Sequence, residues 1–271
     1  MLARQRQARI AAELRRSGGV RVSELTNLLG VSDMTIRRDL EQLVSAGVAT
    51  KVHGGAVLTG NVTEEPGFEV KREIAQSAKQ AIAAAAAALI RPGTAIAISA
   101  GTTTWAMTPF LADIDGLTIV TNSTTVADTI ATLPNPSRRT VILTGGVRTP
   151  SAALVGPIAD IGIRAIYVDQ LFLGVHGMAA HAGYTTPNLA EAHTNRELIN
   201  RASQVVVVAD SSKWGAVGLA DFGPLSTADV LVTDDGIEPQ VADHLRETVG
   251  ELLVVPADLE IATPVSDEVT A

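Results

Sequence analysis

The sequence contains no cysteine, which removes disulfides and cysteine-based metal sites and suits a reducing, cytoplasmic setting. It also has no hydrophobic run of membrane-spanning length. The most apolar stretch, residues 81–90 (AIAAAAAALI), is about half of the ~20 residues a bilayer crossing needs. It reads as an Ala-rich helix ended by Arg91, Pro92 and Gly93, and no membrane partner is expected. The opening residues MLARQRQARI turn charged without an apolar core segment, so no secretory signal is expected. The familiar catalytic and cofactor fingerprints are missing as well. No G-x-G-x-x-G follows the first strand-like run of the larger part, and no G-x-x-x-x-G-K-[ST] occurs. His176, His181, His193 and His244 lack metal-ligand spacing, and no Ser-His-Asp order with a nucleophile elbow is visible. No catalytic residue, metal site or cofactor is expected. His176 and His181 bracket a Gly-rich loop, where lining a pocket and ordinary exposure both stay open.

What is present is enough for two domains: 271 residues, 46% of them hydrophobic. The net charge of −8 argues at first against a nucleic-acid partner, but its distribution reverses that. Residues 1–60 carry nine Lys/Arg against five Asp/Glu, a net of +4, and the remainder twelve against twenty-four, a net of −12. A small basic head on an acidic body is expected when only one domain touches phosphates.

In the head, residues 4–16 form an amphipathic helix stopped by Gly18 and Gly19, and residues 20–22 a short extended piece. Ser23 is placed to cap a second helix, with Glu24 in its first turn, running to Gly30. Ser32 caps a third, in which Ile36, Leu40, Leu43 and Val44 form one apolar stripe. Thr35, Arg37, Arg38 and Gln42 then point largely elsewhere. Short strands around Lys51, His53, Gly54 and Gly55 make a small wing. Two helices joined by a tight turn, the second with exposed arginines near its start, suit a major groove. A helical hairpin with a solvated basic face fits the same spacing, and the charge asymmetry favours DNA. The expected contacts are Ser32, Met34, Thr35, Arg37, Arg38, Lys51, His53, Gly54 and Gly55. Asp39 is expected to pair with a neighbouring Arg or Lys and orient it, because a bare carboxylate is repelled by phosphate.

The boundaries read as a winged helix-turn-helix domain at 1–58, a linker and start of a connecting helix at 59–79, an α/β domain at 80–255 and a tail at 256–271. From residue 80 the chain alternates strands (95–98, 117–120, 141–143, 168–173, 205–209, 230–232 and 252–255) with helices (105–111, 126–133, 189–202 and 240–249). Short runs rich in Val, Ile and Leu suit strands buried on both faces of a mostly parallel sheet. Polar loops after the strands form the ligand site in such folds. Gly101, Thr102, Thr103 and Thr104 offer backbone N–H groups and hydroxyls suited to an anion, with Lys213 as opposite charge. Each loop alone is an ordinary capped turn; five in one sheet point to a small polar ligand.

These segments resemble the DeoR family of repressors over almost the whole chain. In the head the resemblance lies in Val22-Ser23-Glu24-Leu25, Leu29-Gly30-Val31-Ser32, Thr35-Ile36-Arg37-Arg38-Asp39-Leu40 and His53-Gly54-Gly55-Ala56. In the larger domain it lies in Gly101-Thr102-Thr103, Thr121-Asn122-Ser123, Gly145-Gly146, residues 169–174 (DQLFLG), Gly183 with Thr185-Thr186, Glu191, Arg196 and Asp210-Ser211-Ser212-Lys213. In the linker, the spacing of Phe68, Arg72 and Lys79 resembles a recurrent pattern of DeoR-type linkers, which implies that Phe68 docks the linker and the charged pair positions the domains. The resemblance implies that residues 32–45 hold the recognition helix and that the sensor domain is similar to ribose-5-phosphate isomerase. It further implies a phosphorylated sugar or sugar-like effector that releases a homo-oligomeric (dimeric or tetrameric) repressor of carbohydrate-metabolism genes from a double-stranded operator. The expected ligand residues are Gly101, Thr102, Thr103, Thr104, Asn122, Gly145, Gly146, Asp169, Gly174, Glu191, Arg196 and Lys213. Two positions depart from the family pattern: Ser99 stands where Asp is frequent and Asn195 where Lys is frequent, which bears on the identity of the sugar. The rival reading is a sugar-phosphate isomerase with a DNA-binding appendage, using Glu191, Asp169 and Lys213.

Overall fold

A computed structural model describes residues 3–17, 19–45, 49–52, 54–58 and 67–257. His53, residues 59–66 of the expected linker and residues 258–271 of the expected tail lie outside the described residues. The chain divides into two compact units, residues 1–64 and 65–271.

The first unit runs α1 (Ala3–Ser17), β1 (Gly19–Arg21), α2 (Val22–Leu29), α3 (Asp33–Ser45), β2 (Ala49–Val52) and β3 (Gly55–Leu58). The expected stripe on α3 is inward: Ile36, Leu40 and Leu43 are buried in one cluster with Ile10, Leu14 and Leu25. β3 pairs antiparallel with both β2 and β1, so the wing is a three-stranded sheet in the order β1-β3-β2. The second helix begins two residues earlier than a Ser23 cap implies. Arg21 closes β1 and takes the cap position, and its N–H donates to the Glu24 carboxylate at 3.3 Å, satisfying one of the donors a helix start leaves open.

The second unit opens with α4 (Phe68–Arg72) and α5 (Gln76–Ala87), then β4 (Ala95–Ile98), α6 (Thr102–Trp105), β5 (Leu117–Thr121), α7 (Thr124–Ala131) and β6 (Arg139–Leu143). A hairpin of β7 (Val147–Arg148) and β8 (Leu154–Val155) leads to α8 (Pro157–Arg164), β9 (Val168–Gly174), β10 (Gly177–Ala179) and β11 (Gly183–Thr186). The remainder is α9 (Leu189–Ile199), β12 (Ala202–Val208), β13 (Ala220–Gly223), β14 (Val230–Asp234), α10 (Pro239–Thr248) and β15 (Glu251–Val255).

The seven expected strands form one all-parallel sheet in the order β15-β14-β12-β9-β4-β5-β6. Alternation along β12 shows why both faces are apolar. Val205 and Val207 enter one core layer with Ile163, Leu198 and Leu245 of α8, α9 and α10. Val206 and Val208 enter the other with Ile82 of α5 and Val126 of α7. The expected 105–111 helix is instead α6 followed by a separate 3-10 turn, Thr108–Leu111. Pro109 has no N–H to continue the α ladder. β10, β11 and β13 make a second, antiparallel sheet beside the main one.

Candidate functional site

In the first unit the residues expected at DNA gather on α3. Because Ile36 and Leu40 turn inward, the 3.6-residue period carries Arg37 and Arg38 outward, and both are exposed along with Ser32 and Met34. Thr35 is half-buried, its hydroxyl 2.9 Å from that of Ser32. Arg37 meets Asp33 one turn back at 3.1 Å, both ends exposed. Such surface pairs are worth at most about 1 kcal/mol and yield readily to a phosphate. Lys51 is exposed and meets Glu41 at 3.3 Å, and Gly54 is exposed in the turn after β2. Gly55 has a different place. It is buried, and a β-carbon there would lie 2.0 Å from the Val20 carbonyl oxygen, so its role is close packing of β3 on β1. Asp39 is buried and accepts from Arg6 and, at 3.0 Å, from Gln7, both on α1. The partner is thus a residue distant in sequence, not the adjacent arginines.

In the second unit the carboxyl ends of the central strands surround a pocket. Ala100, Gly101, Thr102 and Thr103 come from the loop after β4 and Asn122 from the loop after β5. Gly174 ends β9, Val175 and His176 follow it, and Lys213 follows β12. Ser151 and Ala153 come from the β7–β8 hairpin, Thr186 from β11, Glu191 and Asn195 from α9, Phe222 from β13, and Phe68 and Lys71 from α4. Asn122 ties the loops: its Oδ1 accepts from the Ala100 N–H at 2.9 Å and its Nδ2 donates to the Leu154 carbonyl at 3.2 Å. The buried Ser99 hydroxyl accepts from the Gly174 N–H at 3.0 Å, which ties the end of β4 to the end of β9 beside the pocket. Glu191 is buried and its carboxylate receives three hydroxyls: Thr149 (2.6 Å) and Ser151 on Oε1, and Thr186 (3.1 Å) on Oε2. Asn195, one helical turn on, shares its face.

Residues 6–61 match the DeoR-like helix-turn-helix domain and residues 74–235 the DeoR C terminal sensor domain. The chain belongs to the DeoR family of transcriptional regulators. It is 36% identical to the HTH-type transcriptional regulator YgbI of Escherichia coli (strain K12), covering 94% of this chain and 98% of the relative. It is 32% identical to the putative aga operon transcriptional repressor of Escherichia coli O157:H7, covering 93% of each. Among solved structures, ribose 5-phosphate isomerase A from Methanocaldococcus jannaschii aligns over 50% of this chain and 53% of that one, at 14% identity and a TM-score of 0.37. That partial likeness bears on neither chemistry nor ligand.

The pocket of this DeoR-family chain is electrically lopsided. Lys71 and Lys213 line it, and the buried Lys79 lies close enough to feel both charges. Burial is the main cause that lowers Lys79 to about 8, helped by Lys213 and Lys71 and opposed by Asp210. Burial, then the charges of Lys213 and Lys71, press His176 down to about 4, so its imidazole is neutral near pH 7. Burial acts to raise the Asp210 carboxyl, but Lys213, the Ser212 hydrogen bonds and Lys79 outweigh it and leave it lowered. Cations therefore occupy one part of the pocket wall and a hydroxyl-bound carboxylate another.

Gly101, Thr102, Thr103, Asn122, Gly174, Glu191 and Lys213 border this pocket, whereas the other expected ligand residues of the DeoR-type domain do not. Thr104 is fully buried and its hydroxyl donates to the Gly101 carbonyl at 3.0 Å, locking the turn. Gly145 and Gly146 adopt positive φ (74° and 119°) beyond edge strand β6. A β-carbon on Gly146 would lie 2.6 Å from the Val155 carbonyl oxygen, so these glycines shape the chain's entry into the hairpin. Asp169 sits at the start of β9, where its carboxylate accepts from the Ala95 N–H at 2.8 Å. That is the amino edge of the sheet, about 16 Å of strand away from Gly174. Arg196 follows Asn195 on α9, turns away and donates to the Asp221 carbonyl. Ser151, Ala153 and Phe222 are pocket residues that the motifs did not single out.

Proposed function

We propose that this chain is a repressor of carbohydrate-metabolism genes that binds a double-stranded operator through α3 and the wing and is released by a phosphorylated sugar or sugar-like intermediate. The observation that carries the effector reading is the juxtaposition in one pocket of Lys213 and the 101–103 turn with Glu191 and Asn195. Ammonium, hydroxyl and backbone N–H groups suit a phosphate, and a carboxylate and an amide suit sugar hydroxyls. The name of the aga operon relative supports repression. A homo-oligomer is the natural partner state, because a single helix-turn-helix head binds weakly and paired heads read repeated half-sites. The apolar, exposed edge strand β6, with Val141, Ile142 and Leu143 open to solvent, supports self-association. A cytoplasmic location follows from an operator partner and fits the cysteine-free sequence.

The pocket is proposed as a sensor and not as an isomerase site. An aldose–ketose isomerase needs a carboxylate free to take a proton from carbon. Glu191 is instead held by three hydroxyl donors, the surroundings of a fixed acceptor, and Asp169 is at the other end of the strands.

The test is fluorescence anisotropy on DNA from upstream of the chain's own gene, with a panel of sugar phosphates and the matching free sugars. Tight binding relieved by one phosphorylated compound alone is expected. Binding that no compound alters, or turnover of ribose 5-phosphate that disappears in Glu191→Gln, would overturn the sensor reading.

A further inference from the structure

We infer that a second copy of this chain docks on the outer edge of β6, so that two seven-stranded sheets join antiparallel across a two-fold axis. This rests on the homo-oligomer reading above and names the surface that forms it.

Strand β6 ends the main sheet, and among the described residues no strand pairs with its outer side. An open edge presents unpaired N–H and C=O groups, and proteins that avoid edge pairing guard it with charge, proline or a bulge. β6 has none of these guards. Its register with β5 runs unbroken from Leu117 opposite Arg139 to Thr121 opposite Leu143. Its one charged residue, Arg139, is buried, and the guanidinium is taken up by the carbonyls of Leu111 (2.9 Å), Pro134 (3.0 Å) and Ala112. From residue 140 to 147 the sequence (TVILTGGV) carries no charge, in a unit that is otherwise acidic.

The apolar surface is concentrated at the same place. Six of the eleven exposed large hydrophobic residues of this unit are Val141, Ile142 and Leu143 of β6, Val147 of β7, and Ile158 and Ile161 of α8. They are contiguous. A β-carbon on Gly145, two residues past Leu143, would meet the Ile158 side chain at 3.4 Å, and one on Gly162, beside Ile161, would meet the Thr144 carbonyl oxygen at 3.1 Å. Such a patch exposes on the order of 500 Å² on each copy, so a symmetric pair removes roughly 1,000 Å² from water before any rim is counted, the scale of a specific interface. The opposite edge of the sheet is built differently. β15 opens on the exposed Glu251, and its Leu252, Leu253 and Val255 pack against the two core layers.

A two-fold axis perpendicular to a sheet reverses strand direction, so the joined edges run antiparallel and one residue of β6 faces its own copy. Facing residues of an antiparallel pair stand about 4.5–5.5 Å apart at Cα, within reach of a disulfide. The chain has no cysteine of its own to compete.

The experiment combines sedimentation velocity, operator anisotropy and a cysteine scan, all on the full chain. Ile142→Lys and Ile161→Glu change exposed side chains and should melt as the parent does. Both are expected to weaken self-association about tenfold or more, to sediment at half the parental mass on dilution, and to bind operator more weakly. Single cysteines at positions 140 to 143 should yield an oxidised dimer at the position that faces itself, and Val254→Cys on β15 should yield none. If a charged variant melts early, the scan alone decides. Parental mass in both charged variants, or cross-linking at Val254→Cys and not along β6, overturns the inference while an oligomeric parent leaves the homo-oligomer reading intact. A parent that is monomeric at every concentration removes that reading and this inference with it.

Discussion

Asp39 of α3 and Arg6 of α1 form an ion pair beneath the helix that presents Arg37 and Arg38. The carboxylate is 3% exposed and also accepts from Gln7, so the recognition surface is braced from behind by a helix that the sequence places thirty residues earlier.

Asp39→Ala removes that brace and leaves the Arg6 guanidinium without its acceptor. The variant is expected to lose operator affinity and thermal stability of the first unit together, whereas Arg38→Ala loses affinity alone. Melting curves and anisotropy on the same samples separate the two. A stable Asp39→Ala chain with parental affinity would refute the bracing role.

The arginines of α3 divide by what they meet. A phosphate-contacting arginine contributes to affinity for any sequence and raises the salt dependence. A base-contacting one is worth about 1–3 kcal/mol of discrimination. Arg37, already paired with Asp33 at the surface, and the exposed Arg38 are expected to split between these behaviours. Titrating Arg37→Ala and Arg38→Ala against operator and scrambled DNA over a range of salt assigns them. A variant whose salt slope falls by about one has lost a phosphate contact.

Changes on the pocket wall are expected to leave DNA binding intact. Lys213→Met and Thr102→Val should hold the operator with parental affinity and fail to leave it when the releasing compound is added. Loss of operator binding in either would mean that the two units do not act as separable modules.

His176 provides a pH signature. Its folded-state value of about 4 lies below the ordinary 6.5, so between these limits the unfolded chain binds a proton that the folded chain refuses. Stability is unaffected by this group above pH 6.5 and falls progressively as the pH drops toward 4, by up to about 3 kcal/mol. Chemical denaturation of the parent and His176→Gln at several pH values isolates the effect. The parent should lose stability relative to the variant on acidification, and parallel curves would show that the imidazole is not held neutral.

Much of this architecture is legible in the residues because it follows from periodicity. The stripe Ile36, Leu40, Leu43 sets the face of α3, and short Val/Ile/Leu runs set all seven strands of the main sheet. The loops after those strands then bring Gly101, Asn122, Gly174 and Lys213 to one pocket. What periodicity does not carry is register along a strand and rotation around a helix at single-residue precision. Asp169 and Gly174 belong to one motif yet lie at opposite ends of β9, and Arg196 points away where Asn195 points in. Ser151 and Phe222 come from a two-stranded hairpin and a four-residue strand, too short for any alternation to show. Phe68 did leave a trace: with Arg72 and Lys79 it makes a spacing that resembles the linker of DeoR-type regulators.

Glu191 has one further consequence, for selectivity. A carboxylate offers roughly four lone-pair directions, and Thr149 and Ser151 occupy both on Oε1 while Thr186 takes one on Oε2. A single acceptor direction is left for any occupant, aimed by three neighbours that cannot swing away without breaking their own bonds. If a sugar hydroxyl occupies that line, an epimer or deoxy analogue that misses it is expected to leave the fourth acceptor direction unfilled. Such sites discriminate far more sharply than a pocket that merely fits a shape.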